Sequence, residues 1–466
     1  MITSPAFSGK RYAVLGLARS GMAAARTLLE SGATVMAWDS REEPRQALAD
    51  DVAAGRVVLA DPVGADLAGY DGVVVSPGVP LNSHPIASVA ERAGVPVIGD
   101  IELFALARPD LPAHRVVGIT GTNGKSTTTS LVCHLLERAG IAARVGGNIG
   151  VPILGADPLP EGGVYVLELS SYQIDLTFSL DCDVAALLNI TPDHLDRYDG
   201  FAGYAAAKAR LFAMQDAANA AVFGMSDEKT FAVSQREERR HAPGTVRRVD
   251  GRDLASLQAD WPSLQGPHNL QNAAVAVGIV EALGLTREQW EPGLRDFRGL
   301  PHRMERVAEA AGVLYINDSK ATNPASAAPA IAAFPPIERD GRKSPRIHWI
   351  VGGLPKGEDL DECKPWFGNV AAAYTIGDAG PLFAEILQPY TQVHRSEMMA
   401  EAIRQAMEAA QPGDVVMLSP ACASFDQFRD FEARGNAFRQ IVEALLSPDG
   451  EDGEAQPDGI AQAGDD

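Results

Sequence analysis

The stretch VVGITGTNGKSTTTSLVCHLL, Val116 to Leu136, leaves few folds open. An apolar run ends in a turn carrying Gly121 and Gly124, and Lys125 and Ser126 then open a helix-forming segment. A strand that feeds a helix through so short a turn belongs to a parallel, helix-covered sheet. The turn amides and the first N–H groups of the helix can together hold phosphate oxygens. A Walker A loop, GxxxxGK[ST], has a glycine five places before its second glycine, and here that place holds Ile119. Gly121 and Gly124 can make the tight turn without it. Gly121, Thr122, Asn123, Gly124, Lys125, Ser126 and Thr127 are therefore the candidate nucleotide loop. Lys125 is expected over the β- and γ-phosphates and the Ser126 hydroxyl on Mg²⁺.

The same strand–helix alternation runs through the chain. RYAVLGL, ATVMAWDS, GVVVSPG and VPVIGD read as strands of a first α/β unit, with helices over Gly21–Ser31 and Ala87–Ala93 between them. The polar, twice proline-bearing segment ARPDLPAHR marks a boundary. A second unit holds the strands RVVGIT, VYVLELS and VAALLNI, an Ala-rich helix after Tyr204 and a helix over Asn269–Leu283. A third starts near GLPHRMERV, with strands VLYINDS, IHWIVGG, AAAYTIG and DVVMLSP. The expected α/β domains are 1–111, 112–304 and 305–446. The tail 447–466 holds seven acidic and no basic residues and is expected to be disordered. Phe231 to Trp261 gives only weak signals.

Composition narrows the function. A formal net charge of −21 argues against general nucleic-acid binding, which needs a basic surface. Four cysteines with no CxxC spacing suit scattered reduced thiols in the cytosol. No signal-peptide organisation and no apolar run near the ~20 residues that span a bilayer are present. The expectation is a soluble cytoplasmic protein without membrane insertion, and a monomer.

Three further stretches carry chemistry. YVLELSSYQID puts Glu168 at the end of an apolar strand, where a carboxylate can reach Mg²⁺, which takes oxygen ligands. NITPDHLDRYDG gathers Asp193, His194, Asp196 and Arg197 in one turn after a strand. AAAKARLF places Lys208 in an Ala-rich helix, where a lysine alone reads as a solvated charge.

ITGTNGKST resembles the phosphate loop of the ATP-dependent Mur ligases and their folylpolyglutamate synthase relatives, and the resemblance covers the chain to about residue 445. It implies a Rossmann-like UDP-binding domain, a P-loop ATPase-type central domain and a Rossmann-like C-terminal domain. In this family a carboxylate is phosphorylated by ATP, and an amine then attacks the acyl phosphate to form an amide. Lys125, Glu168, His194 and Lys208 are the implied catalytic residues. Ser126, Glu168, His194 and Lys208 serve two Mg²⁺ ions, the lysine as a carbamate formed with CO₂. That reaction needs a neutral amine, which partial burial favours. Asn269, Asn272, Arg303, Asp318 and Lys320 are implied at ATP, which would lie between the second and third domains.

In the first domain, Gly16-Leu17-Ala18-Arg19-Ser20-Gly21 fails the dinucleotide pattern GxGxxG at Ala18, while Asp39 ends the next strand as a ribose-binding acid would. The resemblance turns this domain to a UDP-sugar, with Leu17, Ala18, Asp39, Ser40, Arg41, Ser76, Pro77, Gly78, Asn148 and His194 toward it. GDIELF, GGNIG, LELSSYQ, NDSKATN and LSPACASFDQF are similar to the branch of the family that adds D-glutamate to UDP-N-acetylmuramoyl-L-alanine. Thr322, Lys356, Ser424 and Phe431 then match the D-glutamate positions, and a cation with hydroxyls suits a dicarboxylic amino acid. Ala18 departs from the hydroxyl residue of that branch, Arg19 stands where something smaller is expected, and Phe231–Trp261 is abbreviated. Two rival readings are a folylpolyglutamate synthase-like ligase, which would lack the Gly16–Asp39 unit, and a P-loop binding module, which would not need Glu168, His194 and Lys208 together.

Overall fold

The computed structural model describes residues 1–193, 197–355 and 357–447. His194 and Lys356, and the acidic tail beyond Ser447, fall outside the described residues. Chain contacts divide the protein into two compact units, Met1–Phe297 and a second that begins at Arg298.

The first unit contains two parallel sheets. One has five strands, β1 (Arg11–Leu15), β2 (Thr34–Trp38), β3 (Val57–Leu59), β4 (Gly72–Val75) and β5 (Val97–Ile98), in the order β3-β2-β1-β4-β5. The other has six, β6 (His114–Thr120), β7 (Ala143–Gly147), β8 (Gly163–Glu168), β9 (Val184–Leu187), β10 (Ala220–Gly224) and β11 (Val246–Val249), in the order β11-β10-β9-β6-β8-β7. The interior strands β4, β8 and β9 are buried along their whole length, because helices cover both faces. That explains why they read as unbroken apolar runs. The strand order reverses beside β1 in the first sheet and beside β6 in the second. Crevices for ligands open at such points, outside the carboxyl ends of the strands.

One apolar cluster joins the two sheets: Val14 and Val35 of the first share it with Tyr165, Leu167 and Leu187 of the second. Phe104, from the helix Asp100–Ala107, sets its ring edge-to-face on Tyr165 at 5.1 Å. The same helix carries Glu102, which is buried and accepts from the amides of Phe178 at 2.6 Å and Ser179 at 2.9 Å and from the Ser179 hydroxyl at 2.7 Å. These bonds fix the first sheet's last helix to the connection that follows β8.

The second unit is built on a sheet of β12 (Glu305–Ala310), β13 (Val313–Asn317), β16 (Ile347–Gly352), β17 (Val370–Ile376), β18 (Gln392–Glu397) and β19 (Val415–Leu418), ordered β12-β13-β19-β16-β17-β18. Only the β12–β13 pairing is antiparallel. A small hairpin, β14 (Ile337–Arg339) and β15 (Arg342–Ser344), stands apart from it. Apolar clusters lie on both faces.

The weakly signalled Phe231–Trp261 stretch contains the end of a helix (Glu228–Glu238), the edge strand β11 and a 3₁₀ run over Gly251–Asp260. Its strand reads VRRV and is only half buried, so it shows neither an apolar run nor a clean alternation. Among the described residues no helix is long and apolar enough to cross a membrane.

Removing the Glu102 carboxylate leaves two amides and a hydroxyl without their acceptor. Glu102→Ala is expected to destabilise the first unit by about 2–4 kcal/mol, read as a lower denaturant midpoint in equilibrium unfolding.

Candidate active site

The phosphate loop sits at the carboxyl end of β6, between β9 and β8. Gly124 precedes the helix Lys125–Arg138 with φ near 84°, in the left-handed region, and no side chain caps that helix. A Cβ on Gly124 would lie 2.1 Å from Asn272 Oδ1. The position therefore needs glycine for both its backbone angle and its contact. The contact also explains why Asn272, from the helix Pro267–Ala282, belongs to this loop. Its amide donates to Asn269 Oδ1 at 3.3 Å, so both predicted asparagines share one network.

The connection after β9 holds the loop from the other side. Asn123 N donates to Asn189 Oδ1 at 2.9 Å, and Asn189 Nδ2 returns a bond to the Asn123 carbonyl at 3.0 Å. Thr122 Oγ1 lies 3.2 Å from the Tyr204 hydroxyl and accepts from Thr191 N at 3.0 Å. Lys125 Nζ donates to the carbonyls of Gly121 at 3.1 Å and Thr122 at 2.9 Å. Ser126 and Thr127 occupy the first turn of the helix, half buried.

Lys208 is not a solvated lysine. It is 2% exposed, its Nζ donates to the Gly121 carbonyl at 2.8 Å, and it stands 4.6 Å over the Tyr204 ring. Burial, with the Lys125 charge beside it, pushes its ammonium down from 10.5 to about 7. Two lysines thus converge on one backbone carbonyl. The nearby carboxylates of Asp193, Glu168 and Asp175 act in the opposite direction on Lys208.

Glu168 ends β8 with 1% exposure. Its Oε1 accepts from Asn148 Nδ2 at 2.9 Å, and Asn148 N donates to the Glu168 carbonyl at 2.8 Å. Its Oε2 is buried without a hydrogen-bond partner. A buried carboxylate oxygen with a vacant lone pair beside a phosphate loop suits a hard cation. Among the described residues no group of three or more His, Cys, Asp and Glu is placed to hold a metal.

In the first sheet the turn after β1 closes on itself. A Cβ on Gly21 would come within 1.8 Å of the Gly16 carbonyl, and Ser76 Oγ donates to that carbonyl at 2.8 Å. Asp39 Oδ2 accepts from Leu17 N at 2.7 Å and Oδ1 from Arg41 N at 2.9 Å. Burial pushes this carboxyl up, but the Arg41 and Leu17 amides outweigh it and hold it below its ordinary range. The Leu17 side chain is core, whereas Ala18, Ser40, Arg41 and Gly78 are exposed and Ser76 and Pro77 half exposed around the crevice.

In the second unit the predicted residues gather at the carboxyl ends of β13 and β19, which are neighbours. Asp318 Oδ2 accepts from Ser419 Oγ at 2.8 Å and Oδ1 from Met304 N at 3.1 Å, next to Arg303. Burial pushes its carboxyl up to about 7 against those bonds and the Arg303 charge. Lys320 Nζ stands 5.6 Å from the Phe431 ring, and Thr322 N donates to the Lys320 carbonyl at 2.9 Å. Ser424 is buried after β19.

Arg434 escaped the sequence reading. It is 1% exposed and donates to Ser319 Oγ and the carbonyls of Ser319, Cys422 and Ala423, all within 3.0 Å, so it ties both strand-end loops together. An arginine in a helix carries no sequence signal for that role.

Comparison with known proteins gives a consistent likeness. Residues 10–99 match the MurD-like N-terminal domain of the Mur ligases, residues 119–280 the Mur ligase middle domain, and residues 302–422 the Mur ligase glutamate ligase domain. A protein of Novosphingobium aromaticivorans named UDP-N-acetylmuramoylalanine--D-glutamate ligase is 67% identical over 98% of this chain and 99% of its own length. One of the same name from Sphingopyxis alaskensis is 58% identical over 96% of this chain and 100% of its own. Among solved structures, the UDP-N-acetylmuramate-alanine ligase MurC of Thermotoga maritima shares the fold, with a TM-score of 0.55 at 16% identity, covering 94% of this chain and 99% of that one.

Two measurements check this geometry. Gly124→Ala puts a methyl group into Asn272 and strains the turn, so ATP affinity is expected to fall by about 100-fold or more in a nucleotide titration. For Lys208, the folded ammonium titrates near 7 and the unfolded one near 10.5, so the unfolded chain binds the extra proton between these values. The cost of burying this lysine is therefore fully present below pH 7 and fades as pH rises to 10.5. In carbonate-free buffer, Lys208→Met is expected to gain stability over the parent below pH 7 and to lose that advantage across the same window.

Proposed function

The chain belongs to the Mur ligase family, and from that membership we propose that it joins D-glutamate to UDP-N-acetylmuramoyl-L-alanine with ATP, a step in peptidoglycan precursor synthesis. What carries the reading is the full-length 67% likeness to a relative of that name, on a chain whose phosphate loop is assembled as such chemistry needs. We read 1–111 as the UDP-substrate part, 112–304 as the ATP part and 305–446 as the amino-acid part. The cytoplasm is the proposed location, in keeping with four free, buried cysteines.

The terminal carboxylate of the UDP substrate attacks the γ-phosphorus of ATP, the bond to the bridging oxygen breaks, and ADP leaves. The α-amine of D-glutamate attacks the resulting acyl phosphate carbonyl. The amide forms, inorganic phosphate leaves, and the amine's proton is released. Lys125 turns from the carbonyls of Gly121 and Thr122 to the phosphates and offsets the charge that gathers there. The loop amides fix the phosphates for in-line attack. Asn269 and Asn272, with Arg303, Asp318 and Lys320, take the rest of ATP.

Mg²⁺, when bound, neutralises phosphate oxygens. Glu168, through its unpartnered Oε2, would hold it, with Ser126 and His194 joining it as the family resemblance implies. The finer reading is that two ions bind and that Lys208 is carbamylated. Its neutral amine adds to CO₂, forms the N–C bond and releases a proton, which converts a buried cation into a carboxylate-like ligand. The burial of Lys208 favours that neutral amine. Leu17, Ala18, Asp39, Ser40, Arg41, Ser76, Pro77, Gly78 and Asn148 receive the UDP-sugar. Thr322, Lys356, Ser424 and Phe431 receive D-glutamate.

Phosphate release from ATP and Mg²⁺ is expected only when UDP-N-acetylmuramoyl-L-alanine and D-glutamate are both present. L-Glutamate and meso-diaminopimelate should give none. Release with either of them overturns the amino-acid assignment, and release without a co-substrate overturns the ligase reading. With ¹³C-bicarbonate, the protein should show a carbamate carbon signal that Lys208→Arg lacks.

A further inference from the structure

Two arginines that the reaction does not use run between the sheets of the first unit. Arg19 opens the helix Arg19–Glu30 directly after the Gly16 turn and donates through Nη2 to the carbonyl of Gly150. Gly150 lies two residues beyond Asn148, which grips Glu168 by side chain and backbone at 2.9 and 2.8 Å. Arg197 runs the other way. From the connection after β9, its Nη2 donates at 3.0 Å to the carbonyl of Val79, in the connection after β4. Val79 N is bonded to the Ser76 carbonyl at 3.0 Å, and Ser76 Oγ to the Gly16 carbonyl at 2.8 Å. The straps thus end on two adjoining first-sheet turns, which the Ser76–Gly16 bond joins.

The Arg197 strap continues inward. Its guanidinium lies 4.0 Å over the Tyr172 ring, and Tyr172 stacks on Tyr198 at 6.1 Å with 9° between planes. Tyr198 donates to Asp175 Oδ2 at 2.8 Å and packs on Tyr204 at 5.6 Å. Tyr204 touches Thr122 of the phosphate loop and carries Lys208 over its ring. A cavity of about 130 Å³ beside the strap, lined by Pro77, Leu81, Asn82, Tyr172 and Tyr198 among others, separates the two walls. The arginine spans this gap, while Leu176 on its rim packs into the first sheet's apolar cluster.

We propose that Arg19 and Arg197 are positioning residues that fix the nucleotide-sugar crevice of the first sheet at a set distance from the phosphate loop and Glu168 of the second. The proposal rests on the reading of the first sheet as the UDP-substrate part. A sugar diphosphate has a limited reach. If its uridine end is held by one sheet and its carboxylate must meet ATP at the other, the spacing of the sheets decides whether the attack distance is reached. A misplacement of about 1 Å can cost about 100-fold in rate. Arginine suits the task because its planar fork stacks and donates at once, which a lysine does not do. Arg19 stands where the family resemblance leads one to expect a smaller residue.

The test compares UDP, which needs the first sheet alone, with UDP-N-acetylmuramoyl-L-alanine, which needs both, by calorimetry on the full chain. Arg19→Ala and Arg197→Ala should bind UDP within about twofold of the parent and the complete substrate about tenfold more weakly, with kcat lowered and KM for ATP unchanged. Arg197→Lys should resemble Arg197→Ala. Equal weakening toward both ligands overturns the proposal in favour of direct contact with the diphosphate, and no weakening toward either overturns it outright. Amide exchange of residues 76–82 in ligand-free protein is a readout independent of the ligand. It should quicken in Arg197→Ala while β6 and β8 keep their protection, and unchanged exchange there overturns the strap. A parent protein that binds UDP but not the complete substrate sinks the assigned reaction, while the exchange result still decides the strap.

Discussion

Two lysine side chains meet at one backbone oxygen. Lys125 and Lys208 both donate to the Gly121 carbonyl, at 3.1 and 2.8 Å, while the Thr122 and Asn123 amides of the same turn are held by Asn189. Like charges this close, with Lys208 almost wholly buried, are costly unless an anion comes to them. Much of the first unit serves to hold that arrangement. β6 supplies the turn, Asn189 and Thr191 brace it from β9, Asn272 closes against Gly124, and Tyr204 roofs Lys208. Loss of the Lys208 proton relieves part of that cost, and an anion such as a polyphosphate, brought to Lys125 and the amides that open the helix, relieves the rest.

The same logic recurs at each sheet. Parallel strands carry their loops to one edge, so residues far apart in sequence become neighbours there. Gly16, Asp39 and Ser76 meet at the first sheet, Gly121, Glu168 and Asn189 at the second, and Asp318 and Ser419 at the third. In each case one polar side chain holds the loops by gripping backbone: Asp39 takes two amides, Asn189 bonds a neighbouring loop reciprocally, and Arg434 takes three carbonyls. Loops held in this way keep their ligand-facing groups in place before a ligand arrives, which lowers the cost of binding.

Most interior strands were readable because burial on both faces favours apolar residues, although the short interior strand β10 was not read. VYVLE and IHWIVG carry that requirement openly. The edge strands β3, β11 and β18 were not, since a half-wet edge tolerates residues such as the arginines of VRRV. The phosphate loop and the strand-end acids were legible for a related reason: glycine, lysine and carboxylate at fixed offsets have few other uses. Lys208 was legible only through a resemblance. Its burial depends on Tyr204 and on a turn 87 residues away, and no local pattern encodes that. Arg434 was silent altogether, and although Arg19 and Arg197 drew notice in the sequence, the carbonyls they bond did not, because an arginine bonded to a distant carbonyl looks in sequence like any surface arginine.

The sequence by itself determined the α/β class, the order of the three sheets along the chain and the location of the phosphate loop. Each follows from local rules: hydrophobic period, the conformational freedom of glycine, and the direction of a strand into a helix. Only the tertiary structure decided that two lysines share one carbonyl, that Glu168 keeps an unpartnered oxygen beside them, and that arginines bridge the two sheets of the first unit. These are properties of distance and desolvation between residues remote in sequence, and they come into being when the sheets pack.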